Sequence, residues 1–307
     1  SLNMHMKNQC GLTLTHTVGC DMIDVADLDV VFLSYKEPNK EHNWLDLKAK
    51  CPWAKRVDGV EGSDAAHKAA GEISSTERFV LVDGDNVVDP ALFDQQIDLK
   101  NHSSNIAIRW RGLNNVNGLK YGNGGVSCWT KTFVKNMQTH ENTSGSDESL
   151  VEFCYEDGYL AYPQCYSTTV INHTSQQAWQ AGFREGVKMS LDRGQRKTPA
   201  EFVSTIHKQN LLCLLTWMSV GADVKHGLWA MYGACEGCYK TMVTDWDYVG
   251  VRDFKYLEEY WDDKHIQEED LANTIDQLIA ELNYTLGVSA SRLGAEQSKF
   301  FKFCTQW

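Results

Sequence analysis

The sequence lacks any apolar run near the roughly 20 residues that a membrane span needs, and its first residues lack a basic, apolar, small-residue leader pattern. Both absences lead to the expectation of a cytoplasmic protein with no membrane partner. Positive charge is also scarce: 29 Lys and Arg stand against 41 Asp and Glu, a formal net charge of −12. That balance excludes a whole-surface grip on nucleic acid, which needs clustered Lys and Arg to displace counterions. The basic residues that do cluster are Lys188, Arg193, Arg196 and Lys197, readable as a solvated helix end or as a local acceptor-binding patch. A second C-x-x-C is missing too. Cys235 and Cys238 stand alone in that spacing among ten scattered cysteines, so buried, reduced thiols are expected rather than zinc or a disulfide framework. There is no internal repeat. What is present is 307 residues with 42% hydrophobic content, enough for a large α/β domain with appendages or two small domains.

Asp29–Tyr35 is a short apolar run closed by Glu37-Pro38-Asn39, the pattern of a buried parallel strand entering a loop. His42–Lys50 reads as a helix stopped by Cys51-Pro52, and Ala54–Val60 as a second strand. Ser63 or Asp64 is the expected cap of a helix through Ala65–Ala70. Phe79–Val82 is an uninterrupted apolar run too short for a helix, and it delivers Asp83, Asp85 and Asn86 at its C-terminal end, where open α/β sheets bind ligands. Ile106–Trp110 is a further strand and Gly118–Val126 a glycine-rich loop. From Ser175, Trp179, Phe183, Val187 and Leu191 recur along one helical face. The remainder reads as helices over Phe202–Val220, Gly227–Gly237 and Ile266–Leu286, with linkers expected at Gly221–His226 and Val243–Gly250. Residues 1–195 therefore form the expected catalytic domain and residues 196–307 a helical C-terminal extension.

The chemistry rests on Asp83-Gly84-Asp85. A strand sends residues i and i+2 to the same side and the turn lets both carboxylates converge, the arrangement that hard divalent cations require. Mg²⁺ or Mn²⁺ held by one or two carboxylates keeps positions open for phosphate oxygens and offsets the charge of a departing nucleoside diphosphate. The glycines of Gly118–Val126, Gly124 and Gly125 among them, permit positive φ and close approach of backbone to a ligand. An Asn-Gly hairpin turn is the plainer reading of that segment.

Ala54–Val60, Ala65–Ala70, Val82–Asn86, Asn117–Val126 and Ala178–Glu185, in that order, resemble the GT-A glycosyltransferases of tailed phages. Those enzymes include ones that place glucose, arabinose or related sugars on 5-hydroxymethylcytosine in phage DNA, some associated with TET-type dioxygenases. The likeness covers about residues 28 to 190. It implies a Rossmann-like, nucleotide-sugar-binding GT-A domain, a UDP-sugar donor, a Mn²⁺ or Mg²⁺ cofactor, a DNA acceptor and a place in the host cell cytoplasm. It makes Asp83 and Asp85 the metal and diphosphate site with Gly84 between them, and puts Tyr35, Glu37, Asn39 and Asp58 against base and ribose. His67 and Lys68 would reach ribose or phosphate, Arg184 the diphosphate, and His173 would complete the metal shell. For a base that takes the acceptor proton, the candidates are Asp147, Glu148 and Asp157, with Glu141 and Glu156 beside them. Trp110, Arg111, Tyr121 and Trp129 are candidate contacts to an exposed base. Two other functions stay open: the same donor chemistry on a protein, glycan or small-molecule acceptor, and an inactive nucleotide-binding module.

Overall fold

The structure is a computed structural model that describes residues 22–139 and 159–305. Its strands are β1 (Met22–Asp24), β2 (Asp29–Ser34), β3 (Lys55–Asp58), β4 (Arg78–Asp83), β5 (Asn86–Val88), β6 (Gln96–Asp98), β7 (Ala107–Asn114), β8 (Lys120–Tyr121), β9 (Val126–Thr130) and β10 (Tyr159–Thr169). Three helices interleave with the strands: α1 (Lys40–Lys50), α2 (Ser63–Ile73) and α3 (Lys131–Asn136). The rest of the chain supplies α4 (Ser175–Met189), α5 (Phe202–Thr205), α6 (Lys208–Ser219), α7 (Gly227–Val243), α8 (Phe254–Asp262), α9 (Leu271–Leu286) and α10 (Ala295–Thr305).

The main sheet runs β3-β2-β4-β9-β7-β10-β5, with β8 attached to β7. β3, β2 and β4 are parallel, β9 is antiparallel to both β4 and β7, β10 is parallel to β7, and β5 is antiparallel to β10. The fold is therefore mixed α/β. β4 and β5 stand four places apart in this order, which in a flat sheet is about 19 Å. Only Gly84 and Asp85 separate them in sequence, and three residue steps reach about 11 Å at most. The sheet must curl, and Asp83-Gly84-Asp85 crosses from β4, third in the order, to the edge strand β5.

Alternation along β4 explains its unbroken apolar run. Val80 and Val82 enter one core with Phe32, Leu47 and Trp110, while Phe79 and Leu81 enter another with Ala70, Trp129 and Phe133. Both faces of the strand are covered, as the pattern requires. A third core unites Trp179, Phe183 and Val187 of α4 with Trp217, Met231, Leu257 and Ile275. This core crosses residue 195, so α4 packs as part of the helical body.

Within that body α7 is buried on nearly every side and lies backbone to backbone against α4. A Cβ at Gly182 would stand 2.0 Å from the Ala230 carbonyl oxygen, and one at Gly233 2.2 Å from the Trp179 carbonyl oxygen. Cys235 and Cys238 are buried inside α7 as free thiols, with burial pushing Cys238 up to about 12. Packing is their role.

Several local expectations change. The N-cap of α2 is Gly62 at φ 88°, not Ser63 or Asp64; the Asp64 carboxylate instead accepts from the Thr139 amide at 2.6 Å. The expected Phe202–Val220 helix breaks at extended Ile206, and the His207 ring caps α6 by accepting from the Gln209 amide. The glycine-rich segment contains β8 and leads directly into β9. Gly221, expected in a linker, is buried, and a Cβ there would meet Val116 at 2.8 Å. Among the described residues no helix is long and apolar enough to cross a membrane.

Candidate functional site

Three hydrogen bonds to main-chain carbonyls fix the crossing. The Asp83 amide donates to the Gly125 carbonyl at 2.9 Å, the Asn43 side chain of α1 donates to the Gly84 carbonyl at 2.9 Å, and the Val170 amide donates to the Asp85 carbonyl at 2.8 Å. Gly84 has no room for a side chain: a Cβ would stand 2.8 Å from Glu37 Oε2 and 3.0 Å from Ser34 Cβ. The loop after β2 therefore presses Glu37 onto the acidic turn, and Glu37 Oε2 also accepts from the Tyr35 amide at 2.7 Å.

The result is a concentration of negative charge. Burial first, then the charges of Asp85 and Glu37, hold the Asp83 carboxyl well above the usual carboxylate range. Burial and the Glu37 charge push Asp85 up to about 7, against the opposing pull of an Asn86 hydrogen bond and the Arg184 charge. Both residues keep some accessible surface, so a ligand can reach them.

The glycine-rich segment closes on this turn through a polar chain. Asn123 Nδ2 donates to Thr169 Oγ1 at 2.6 Å, Thr169 Oγ1 donates to Asn86 Oδ1 at 3.0 Å, and Asn86 Nδ2 donates to Asp85 Oδ1 at 2.7 Å. Gly125 packs against Asn86 so tightly that a Cβ would come within 2.3 Å of it. Gly124 has open space around it but adopts φ 83°, a backbone state that glycine reaches without strain. One glycine serves proximity and the other conformation.

Of the residues expected here, Tyr35, Glu37, Asn39, Asp58, Asp83, Gly84, Asp85, Gly124, Gly125 and Arg184 lie around the C-terminal ends of β2, β3 and β4 or are linked to them. Asn39 is buried and occupied: it donates to the Val170 carbonyl at 3.0 Å and accepts from Gln177 at 3.1 Å. Asp58 accepts from Ser34 and from Lys40 at 2.7 Å each, with Arg56 at 3.4 Å. Tyr35 is exposed. Arg184 reaches from α4, its guanidinium 4.7 Å from the Phe254 ring.

His67 and Lys68 are not brought to the acidic turn. The buried His67 ring meets Trp129 edge-on and pairs with the Ser63 carbonyl. Trp129 lies opposite Phe79, four residues before Asp83 and so about 13 Å toward the other end of β4. Lys68 is exposed on α2. His173 is exposed, donates its amide to Gln177 Oε1 and acts electrostatically on His226. Among the described residues no group of three or more His, Cys, Asp or Glu is arranged to hold a metal ion, so His173 does not complete a shell with Asp83 and Asp85. Glu141, Asp147, Glu148, Glu156 and Asp157 lie outside the described residues.

The expected acceptor contacts are largely internal. Trp110 and Trp129 are core residues, and Tyr121 donates to Glu185 at 3.1 Å; Arg111 is exposed. In the basic stretch, Lys188 pairs with Glu185, Lys197 with Asp192, and Arg196 donates to the Thr244 and Trp246 carbonyls.

Sequence reasoning passed over Asn43, Asn123 and Thr169. Their signal was weak: Asn43 sits two residues before Leu45 in a helix, where only its burial shows that it turns inward. The helical body also contributes, because Lys36, next to Glu37, pairs with Glu258 of α8 at 2.9 Å. Comparison with known protein families, curated proteins and solved structures finds no match to this chain.

Proposed function

We propose that the chain is a metal-dependent glycosyltransferase that moves a sugar from a UDP-sugar to the hydroxymethyl group of 5-hydroxymethylcytosine in DNA. The observation that carries this reading is the pair Asp83 and Asp85, two partly accessible carboxyls raised by burial and by like charge at the mouth of a curled sheet. Buried carboxylates crowded in this way favour a ligand that brings positive charge.

The donor set fits Mg²⁺ or Mn²⁺, hard cations that take carboxylate oxygens and readily keep open positions for phosphate and water. Asp83 and Asp85 would hold the ion, with Glu37 beside them. When bound, it supplies positive charge against the phosphate oxygens of the departing UDP. Arg184 adds a guanidinium suited to the same diphosphate. Gly124 and Gly125 let the main chain approach the donor, and the exposed Tyr35 ring offers a face for the uracil. Asp58 stands at the neighbouring strand end for ribose hydroxyls. Asp147, Glu148 and Asp157 are the carboxylates proposed to accept the proton of the acceptor hydroxyl.

A second reading keeps this donor half and moves the sugar to a protein, glycan or small molecule. The net charge of −12 and the internal pairing of Lys188, Arg196 and Lys197 favour it over a polyanionic acceptor. One experiment separates the two. The chain is incubated with Mn²⁺, a set of UDP-sugars and hydroxymethylated DNA, and nucleoside masses are measured beside UDP release. A sugar adduct on the nucleoside, lost with Asp85→Ala, supports the DNA acceptor. UDP release that needs Asp85 but leaves the DNA unmodified moves the reading to another acceptor, and neither product from any donor overturns both.

A further inference from the structure

In the helical body α7, α8 and α9 line a second recess of about 580 Å³, with Lys240, Trp246, Tyr260, Gln277 and Glu281 in its wall. Of its aromatic lining, Trp246 and Tyr260 are linked through Tyr256, which is not itself in the wall: Trp246 and Tyr256 have ring centroids 6.2 Å apart at 22°, and Tyr256 and Tyr260 5.9 Å apart at 10°. Lys240 Nζ lies over this wall, 4.2 Å from the Tyr260 centroid and 5.5 Å from that of Trp246.

Lys240 has no counter-ion of its own among the described residues. Glu236, whose charge it senses, is already saturated: Lys264 donates to its two oxygens at 2.6 and 2.8 Å, Trp179 at 2.7 Å, Tyr232 at 3.0 Å and Tyr260 at 2.7 Å. Glu281, across the recess, is engaged by the Tyr239 hydroxyl. A half-buried ammonium over aromatic faces keeps part of its interaction energy in the rings and the rest open to an incoming anion. A neutral sugar would leave that charge uncompensated. A polyanion would meet only one unpaired cation, with Glu236 and Glu281 facing it.

We propose that this recess binds a small organic anion with a flat ring, its carboxylate or monophosphate paired with Lys240 Nζ and its ring lying along Trp246 and Tyr260. The Gln277 amide offers both a donor and an acceptor to the ring's polar edge. The site stands apart from the sugar-transfer reading and does not depend on it.

The test is calorimetric titration of the metal-free full chain with two probes, indole-3-acetate and uridine monophosphate, against wild type, Lys240→Gln and Asp85→Ala. At least one probe is expected to bind wild type, and Lys240→Gln to weaken it about tenfold or more, the value of a charge-assisted hydrogen bond. Asp85→Ala is expected to leave that binding unchanged. Which probe binds identifies whether the anion is a carboxylate or a phosphate. Should Lys240→Gln fail to melt cooperatively, ¹³C-methylated lysine resonances of the wild-type chain replace it, and the Lys240 signal is expected to shift with ligand. No binding of either probe up to about 10 mM overturns the proposal. So does binding that survives Lys240→Gln, an unmoved Lys240 resonance, or binding lost with Asp85→Ala.

Discussion

Two sets of carboxylates in this chain, one buried and one partly accessible, are treated in opposite ways. Glu236, in the helical body, receives a lysine, an indole and two phenol hydroxyls, so every lone pair that burial strips of water is met by a donor. Asp83, Asp85 and Glu37, at the sheet opening, chiefly face each other, with the Tyr35 amide donating to Glu37 and one Asn86 hydrogen bond and the Arg184 charge acting on Asp85. The first arrangement is complete as it stands. The second carries an uncompensated electrostatic cost, which the proposed function assigns to a bound cation. Both groups come from the same chain, so the contrast separates carboxylates matched by internal donors from carboxylates left to repel one another.

The contrast is broken most forcefully at Lys264. Lys264→Met leaves Glu236 buried beside neutral donors only, and is expected to destabilise the protein by about 3–5 kcal/mol, measured by urea unfolding. At the other group the sign reverses. Asp85→Asn removes a repelling charge and is expected to raise the unfolding midpoint of the metal-free protein, while lowering sugar transfer by about 100-fold or more for loss of a group acting on the leaving diphosphate.

Titration sharpens the same difference. Asp85 sits at about 7 in the folded chain and near 3.8 when unfolded, so the folded state holds its proton more tightly. The associated stability is present below about pH 4 and is lost as pH rises toward 7. The metal-free protein is therefore expected to melt lower at pH 7.5 than at pH 5, by a margin that shrinks in Asp85→Asn, and Mn²⁺ binding is expected to strengthen as pH rises through about 7. Differential scanning calorimetry and metal titration read the two effects. The smallest change is at Lys36 and Glu258, an exposed pair that joins the two regions. Glu258→Gln is expected to leave the melting temperature unchanged and to raise the donor KM a few-fold by loosening the Glu37 loop, with kcat unaffected.

The strand β4 was legible because its apolar run is too short for a helix and is bounded by polar residues, and it delivers Asp83 at its C-terminal end as expected. The inward face of α4 was legible from the spacing of Trp179, Phe183 and Val187. Sheet order was not, since β5 pairs with β10 across more than 70 residues and nothing in Asn86–Val88 points to Ser167–Thr169. β10 itself mixes apolar and polar residues without strict alternation, with Pro163 and two register shifts along its pairing with β7, features that obscure a strand pattern. The mistake at His67 has a simple cause: helical spacing shows that a residue turns inward, but not which end of a strand it meets. The seam between α4 and α7 was written twice, as Gly182-x-x-x-Gly186 and Gly233-x-x-x-Gly237, spacings that only the packing of both helices makes meaningful.

The two-residue crossing from β4 to β5 carries a further consequence. A loop of ordinary length would let its carboxylates choose their separation, and a ligand would have to organise them on arrival. Here two residues join β4 to β5, and Gly125, Asn43 and Val170 hold the main chain at Asp83, Gly84 and Asp85 in turn. The work of bringing like charges together is therefore done by folding itself, and under the proposed function a cation would meet a site already set.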